Sequence, residues 1–136
     1  SGRGVTQDVS QAAQYYLIAA NQGSASAQFV LASLYSQGSG VDEDATSAVS
    51  WYRRSAEQGY PLAMHNLAAA YLSGRGVEQN PTMAYAWFQL ALRYYPENAP
   101  DRETAQRVRD QLASGLSQDA RDEAEAFAEG FEPESE

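Results

Sequence analysis

The chain has 136 residues, of which 43% are hydrophobic and 20% are charged, so we expect one folded domain with a modest core. It has a net charge of −9, no cysteine, and nine basic residues that are all arginine. This composition excludes disulfides, thiolate zinc sites and cysteine nucleophiles, and no apolar run is long enough to span a bilayer.

The negative charge is concentrated in the last third of the chain. Residues 1–96 contain six acidic and five basic residues, whereas residues 97–136 contain twelve acidic and four basic residues. A nucleic-acid-binding protein needs a basic face to displace counterions from phosphates, and neither part supplies one. We therefore expect no nucleic acid partner and no insertion into a membrane.

A period of 36 residues begins at the first residue of the chain. The sequence Ser-Gly-Arg-Gly-Val occurs at residues 1–5 and again at 73–77, and Gly-Ser-Gly-Val occurs at 38–41. Asp8, Asp44 and Asn80 follow at equivalent positions, where each predicts the N-cap of a helix. A fixed period of this size is typical of stacked repeats. Because the chain begins inside a repeat, we expect it to be the C-terminal part of a longer protein.

Each repeat is predicted to contain two antiparallel helices. The helix after the N-cap ends at Gly23 or Gly59, which suit a left-handed C-cap, and it carries an aromatic pair that we assign to packing: Tyr15-Tyr16, Trp51-Tyr52 and Trp87-Phe88. The other helix carries one apolar face, which consists of Ala27, Leu31 and Tyr35 or of Ala63, Leu67 and Tyr71. No repeat buries both faces alone, so the fold class is all-α, a right-handed α-α superhelix (solenoid).

The period ends at residues 92–95, and two further amphipathic segments follow. One runs from about Asp101 to Gly115, and Ser117 is the predicted N-cap of the other. The predicted organisation is the second half of a truncated repeat at 1–23, full repeats at 24–59 and 60–95, C-terminal capping helices at 96–130 and a frayed acidic tail at 131–136. The helix at about residues 8–22 lacks an upstream partner, so we expect it to expose Tyr15 and Tyr16.

The repeat resembles the SEL-one-like repeat family, a relative of the tetratricopeptide repeat. The family pattern Ala-x-x-x-Leu-Gly-x-x-Tyr, Gly-x-Gly-Val and Ala-x-x-Trp-Tyr is matched at residues 63–71, 74–77 and 48–52. Ala32 and Ala68 stand where the family often has glycine. The resemblance implies a non-enzymatic scaffold or adaptor that binds a protein or peptide partner. It also implies a bacterial periplasmic or secreted location, with a cytoplasmic location possible.

Two alternatives to a scaffold remain open. Exposed apolar groups on the first helix favour a structural, self-associating domain. A cysteine-rich branch of the resembled family is linked to weak β-lactam hydrolysis, and because this chain has no cysteine a weak hydrolase is only a remote alternative.

No catalytic, metal or cofactor site is predicted from the chemistry-bearing residues. The Gly-x-Gly-Val turns lack the strand, third glycine and lysine that phosphate-binding loops use. His65 is the single histidine and lies in a predicted helix without a second imidazole or a nucleophile elbow. Asp42, Glu43 and Asp44 offer fewer oxygens than calcium requires, and acids at a helix start are explained by capping.

The predicted site is a partner-binding groove on the concave side of the array. If the layers follow tetratricopeptide geometry, one stripe of each non-aromatic helix lines this groove. The predicted groove residues are Ser26, Phe29, Ser33, Ser36, Leu62, His65, Ala69 and Leu72. Phe29, Leu62 and Leu72 would form an apolar strip that receives a peptide or helix of the partner.

Overall fold

The computed structural model describes residues 2–134, with side chains from residue 9 onward. This range folds into helices and loops, without a strand. The helices are α1 (Gly2–Asn21), α2 (Ala25–Gln37), α3 (Ala45–Glu57), α4 (Pro61–Ser73), α5 (Pro81–Tyr94), α6 (Pro100–Gly115) and α7 (Gln118–Glu129). Each helix from α1 to α5 packs against the next, and α6 and α7 both pack on α5. The predicted right-handed solenoid of antiparallel helix pairs with a helical cap is confirmed.

Three predicted helix starts are found where the sequence places them. Asp44, Asn80 and Ser117 are the N-caps of α3, α5 and α7. In each case the side-chain oxygen accepts a hydrogen bond of 3.1 Å from the backbone N–H three residues later. These bonds satisfy amides that the first helical turn leaves free. Pro81 follows Asn80 at the first helical position, where its missing N–H costs nothing.

The two glycines of the Gly-x-Gly-Val turn have different structural roles. Gly38 and Gly74 adopt left-handed backbone angles, with φ of 71° and 74°, and end α2 and α4. The second glycine packs against the preceding repeat: a Cβ at Gly40 would lie 2.6 Å from the carbonyl oxygen of Val9. A Cβ at Gly76 would overlap the carbonyl group of Ala45, at the start of α3. Because any side chain would collide here, the second glycine permits close stacking of consecutive repeats.

The core is centred on α5, which lies between α4 and the cap. Eight of its fourteen residues are buried: Ala84, Tyr85, Ala86, Trp87, Phe88, Leu90, Ala91 and Leu92. In α1 the buried residues among those with described side chains are Ala13 and Ala20. Tyr15 and Ile18 of α1 are 67% and 61% exposed. Burial therefore increases along the array toward the cap.

The predictions for the two ends of the chain need correction. Asp8 is not an N-cap, because α1 begins at Gly2 and includes the Gly-Arg-Gly-Val segment that was expected to be a turn. Ser1 lies outside the described residues. The tail is not frayed at residues 131–134, because Phe131 packs on the main core and the Glu134 N–H donates to the Glu57 carbonyl oxygen at 2.7 Å. Residues 135 and 136 of the predicted tail lie outside the described range.

Candidate interaction surface

The predicted groove residues form one stripe on α2 and one on α4. Ser26 and Ala69 are exposed, and the other six are half-buried. The fully buried residues of these helices lie on other faces, at Ala27, Gln28, Leu31 and Ala32 in α2 and at Ala63, Met64, Leu67, Ala68 and Tyr71 in α4. The stripe therefore borders the core and remains partly accessible to solvent.

The Phe29 ring is half-buried and packs against two tyrosine rings. Its ring lies 5.8 Å from the ring of Tyr52 in α3 and 5.4 Å from the ring of Tyr60, which precedes α4. Ser33, one turn further along α2, donates its hydroxyl to the Phe29 carbonyl oxygen and lies 3.0 Å from the Tyr52 hydroxyl. The structure thus brings Phe29 and Ser33 together on a rigid aromatic support.

His65 occupies the position in α4 that Phe29 occupies in α2. Its ring packs edge-on against Phe88 of α5 at 5.4 Å, and its Nδ1 lies 3.1 Å from the Tyr95 hydroxyl. Burial lowers the pKa of His65 below its ordinary value, and the Asp101 carboxylate opposes this shift. Burial also raises the pKa of Tyr95, with Asp101 adding to the rise. Both groups are therefore neutral near pH 7, which suits packing better than acid–base chemistry.

Two tyrosines that the sequence analysis missed complete this arrangement. Tyr60 supports Phe29, and Tyr95 supports His65. They are separated by 35 residues rather than 36, so an alignment on the strict period does not pair them. An alignment that allows one deleted residue where the period ends pairs Tyr60 with Tyr95.

The C-terminal halves of the two stripes meet at a small cavity. Ser36 and Ala69 line this space of about 200 Å³ between α2, α3 and α4, together with Tyr52, Asn66 and Arg75. Arg75 closes one side, because its guanidinium donates to the Ser36 carbonyl oxygen at 2.9 Å and pairs with Glu43 at 2.6 Å. The turn at residues 73–77 therefore links consecutive repeats through its arginine.

Three stripe residues belong neither to the aromatic contacts of Phe29 and His65 nor to the cavity. Leu62 and Leu72 pack against the main core. Ser26 lies beside Ser24, with their hydroxyl oxygens 3.3 Å apart, at the start of α2. The two stripes thus form an aromatic part and a cavity part, and Ser26, Leu62 and Leu72 lie outside both.

The acidic cluster before α3 has structural partners. Hydrogen bonds from the Ser47 backbone and hydroxyl lower the pKa of Asp44, as expected for an N-cap. Glu43 is paired with Arg75. Among the side chains that the structure describes, those of residues 9–134, no group of histidine and acidic residues is arranged to hold a metal ion.

The recurring helix pair and its Gly-x-Gly turns match a known sequence family. Residues 1–24, 25–60 and 61–93 each match the Sel1 repeat. The chain belongs to the Sel1 repeat family. Sel1 repeat proteins generally serve as non-enzymatic scaffolds for protein–protein interactions. No curated protein matches the chain in sequence.

Solved structures agree with the Sel1 assignment. The chain is similar to c5321, a protective antigen present in uropathogenic Escherichia coli strains that displays an SLR fold, with a TM-score of 0.80 and 30% identity. This match covers 90% of the chain and 25% of c5321. The chain is also similar to a Sel1 repeat protein from Oxalobacter formigenes, with a TM-score of 0.62 and 36% identity over 63% of the chain and 35% of that protein. The chain thus spans about a quarter to a third of these relatives.

The helices in the described part of the chain are too short or too polar to cross a bilayer.

Proposed function

We propose that the chain is a non-enzymatic interaction scaffold that binds a peptide or helix of a protein partner along the stripes of α2 and α4. The observation that carries the proposal is the repetition of Phe29 and His65. Each is half-buried, and each rests on an aromatic ring of the following helix. A partner would meet two prearranged side chains that are one repeat apart, which reduces the cost of ordering them on binding.

The binding test uses Ala69, because it is the exposed member of the α4 stripe. Ala69→Glu places a charge beside the cavity without removing a core contact. The matched control is Ala12→Glu, at an exposed position on α1. A partner identified by crosslinking in the native host should bind Ala69→Glu about tenfold more weakly and Ala12→Glu unchanged. Equal binding by both variants would exclude the α2–α4 stripes as the binding surface.

Self-association is the second candidate function, and the exposure of α1 favours it. Tyr15, Leu17 and Ile18 are 67%, 38% and 61% exposed, which leaves an apolar face without a partner. Light scattering should then show a mass that increases with concentration. Ile18→Glu should abolish the increase, whereas Gln106→Glu on exposed α6 should not. A wild-type chain that stays monomeric at all concentrations argues against this function.

A periplasmic or secreted location in a bacterium is part of the proposal, with the cytoplasm as the alternative. It rests on the resemblance to the family alone, and fractionation of the native host tests it. The remote hydrolase alternative predicts turnover of a chromogenic β-lactam. Absence of turnover by the purified chain would remove it.

A further inference from the structure

Residues 131–134, the docked tail, are held against α3 and α5 in a defined register. The Phe131 ring packs edge-on against Trp87 at 5.7 Å and against Tyr94 at 6.0 Å. The Glu134 N–H donates to the Glu57 carbonyl oxygen at 2.7 Å. Pro133 lies over Gly59, where an added Cβ would be 3.4 Å from the proline Cβ. The surface therefore accepts a short non-helical segment in which phenylalanine precedes proline by two residues.

The docked tail leaves part of this surface unfilled. A cleft of about 550 Å³ lies beside it and is lined by Trp87, Phe127, Arg53 and Glu57 as well as by the tail. Trp87 is 2% exposed, and its indole N–H has no hydrogen-bond acceptor among the residues that the structure describes. Phe127 packs on Trp87 yet remains 39% exposed. An unpaired buried donor is destabilising, so a ligand that supplies an acceptor here would bind more tightly.

The charges of the tail do not suit the surface that it covers. Burial raises the pKa of Glu57, and the Glu134 carboxylate raises it further, while Arg53 and Arg54 oppose the rise. Within the described residues Glu57 has no ion pair. The tail therefore brings a negative charge to a half-buried carboxylate. The tail is held by its shape and by one backbone hydrogen bond, whereas the carboxylates of Glu134 and Glu57 repel each other.

We propose that the cleft formed by Arg53, Glu57, Trp87 and Phe127 is a binding site for a short non-helical segment of a protein partner. The segment carries phenylalanine two residues before proline and a basic residue directly after the proline. The docked tail covers part of this site, beside the open cleft, and is an intramolecular competitor. The site lies on α3, α5 and α7 and uses none of the α2 or α4 stripe residues, so it goes beyond the proposed function.

A partner fits this site better than the tail of a second copy does. A second tail would bring the same glutamates to Glu57, and each copy carries a net charge of −9. A basic residue at the position of Glu134 would instead attract the Glu57 carboxylate. An ion pair between this basic residue and the partly exposed Glu57 would strengthen binding by up to about 1 kcal/mol, or about fivefold in affinity.

The test uses a chain truncated after Gly130 and peptides that span residues 130–135. One peptide has the native sequence, one carries Glu134→Lys, and a control carries Phe131→Ala. Binding is followed by the NMR signal of the Trp87 indole N–H, with the Trp51 indole as the internal reference. The truncated chain should bind the Glu134→Lys peptide about two- to fivefold more tightly than the native one, and should not bind the control. The full chain should bind both about tenfold more weakly, because its own tail competes.

Three results would overturn the proposal. They are a folded truncated chain that shifts neither indole signal with any peptide, a full chain that binds as tightly as the truncated one, and dimerisation through the tails. If truncation prevents folding, the full chain with Phe131→Ala provides the same readout and should gain affinity for the peptide. Ala69→Glu should leave this binding unchanged, so failure of the α2–α4 proposal is distinguishable from failure of this one.

Discussion

Phe29 and His65 show how a single position of the repeat accommodates different residues. Both rest on a ring of the next helix, and Phe88 under His65 corresponds to Tyr52 under Phe29. The 36-residue period aligns the two positions, so the sequence predicts that they are equivalent. It did not reveal the aromatic contacts, because Tyr95 lies one residue outside that period.

The protonation of His65 should make stability dependent on pH. Burial lowers its pKa in the folded chain, so on acidification the unfolded chain takes up the proton first. The free energy of unfolding should therefore decrease as the pH falls below about 6.5, the ordinary value for histidine. Above that pH the side chain is neutral in both states and contributes no pH dependence.

His65→Phe, which copies Phe29, should remove this contribution. Thermal melts of the two chains at about pH 7.5 and about pH 5 should show a larger loss of Tm for the wild type. Glu57 acts in the opposite direction, because its raised pKa stabilises the folded chain on acidification, and it is common to both chains. Identical losses of Tm in both chains would contradict the assignment.

Gly76 should be the glycine least tolerant of substitution in the turns. Its φ is +81°, and a Cβ would overlap the Ala45 carbonyl and lie 2.9 Å from Val49 Cγ2. Gly76→Ala should lower the free energy of unfolding by about 2 kcal/mol or more, from backbone strain and displacement of α3. Gly115→Ala is the control, because nothing lies within 4 Å of an added Cβ and no positive φ is required there. Chemical denaturation should leave this control within about 0.5 kcal/mol of the wild type.

At the scale of helices, the sequence predicts most boundaries because the signals are local. Asp44, Asn80 and Ser117 cap helices with their own side chains, which needs no knowledge of the rest of the fold. The Gly-x-Gly-Val turn differs, because it needs the end of a preceding helix. Gly74 donates its N–H to the Ala70 carbonyl oxygen, whereas residues 2–5 form the first turn of α1.

The docked tail could not be predicted for a related reason. Its partners Glu57, Trp87 and Tyr94 lie 37 to 77 residues before Phe131 and Glu134, and no repeated element contains the tail. Composition alone favours disorder for an acidic segment. In the structure, the partly buried Phe131 ring and one backbone hydrogen bond hold residues 131–134 against the core.

Across the whole molecule, stability should follow the gradient of burial. Among the described helices, α1 packs mainly against α2, whereas α5 is covered by α4 and by both capping helices. In an array where each unit contacts its neighbours, the least covered end opens first. Amide hydrogen exchange should therefore be about tenfold or more faster in α1 than in α5, a difference of at least about 1.4 kcal/mol in opening free energy. Equal protection would show that the chain opens only as a single unit.

The contacts of Gly40 and Gly76 with the preceding repeat also determine the pitch of the superhelix. Both glycines let the backbone approach the helix before it to the limit of atomic contact, at equivalent positions one period apart. The same step is thus repeated along the chain, and the interval between Phe29 and His65 is fixed by backbone geometry rather than by flexible side chains. The array therefore acts as a ruler with one interval: a rigid partner can contact both Phe29 and His65 only if its own spacing matches, and a partner with a different spacing reaches at most one of them.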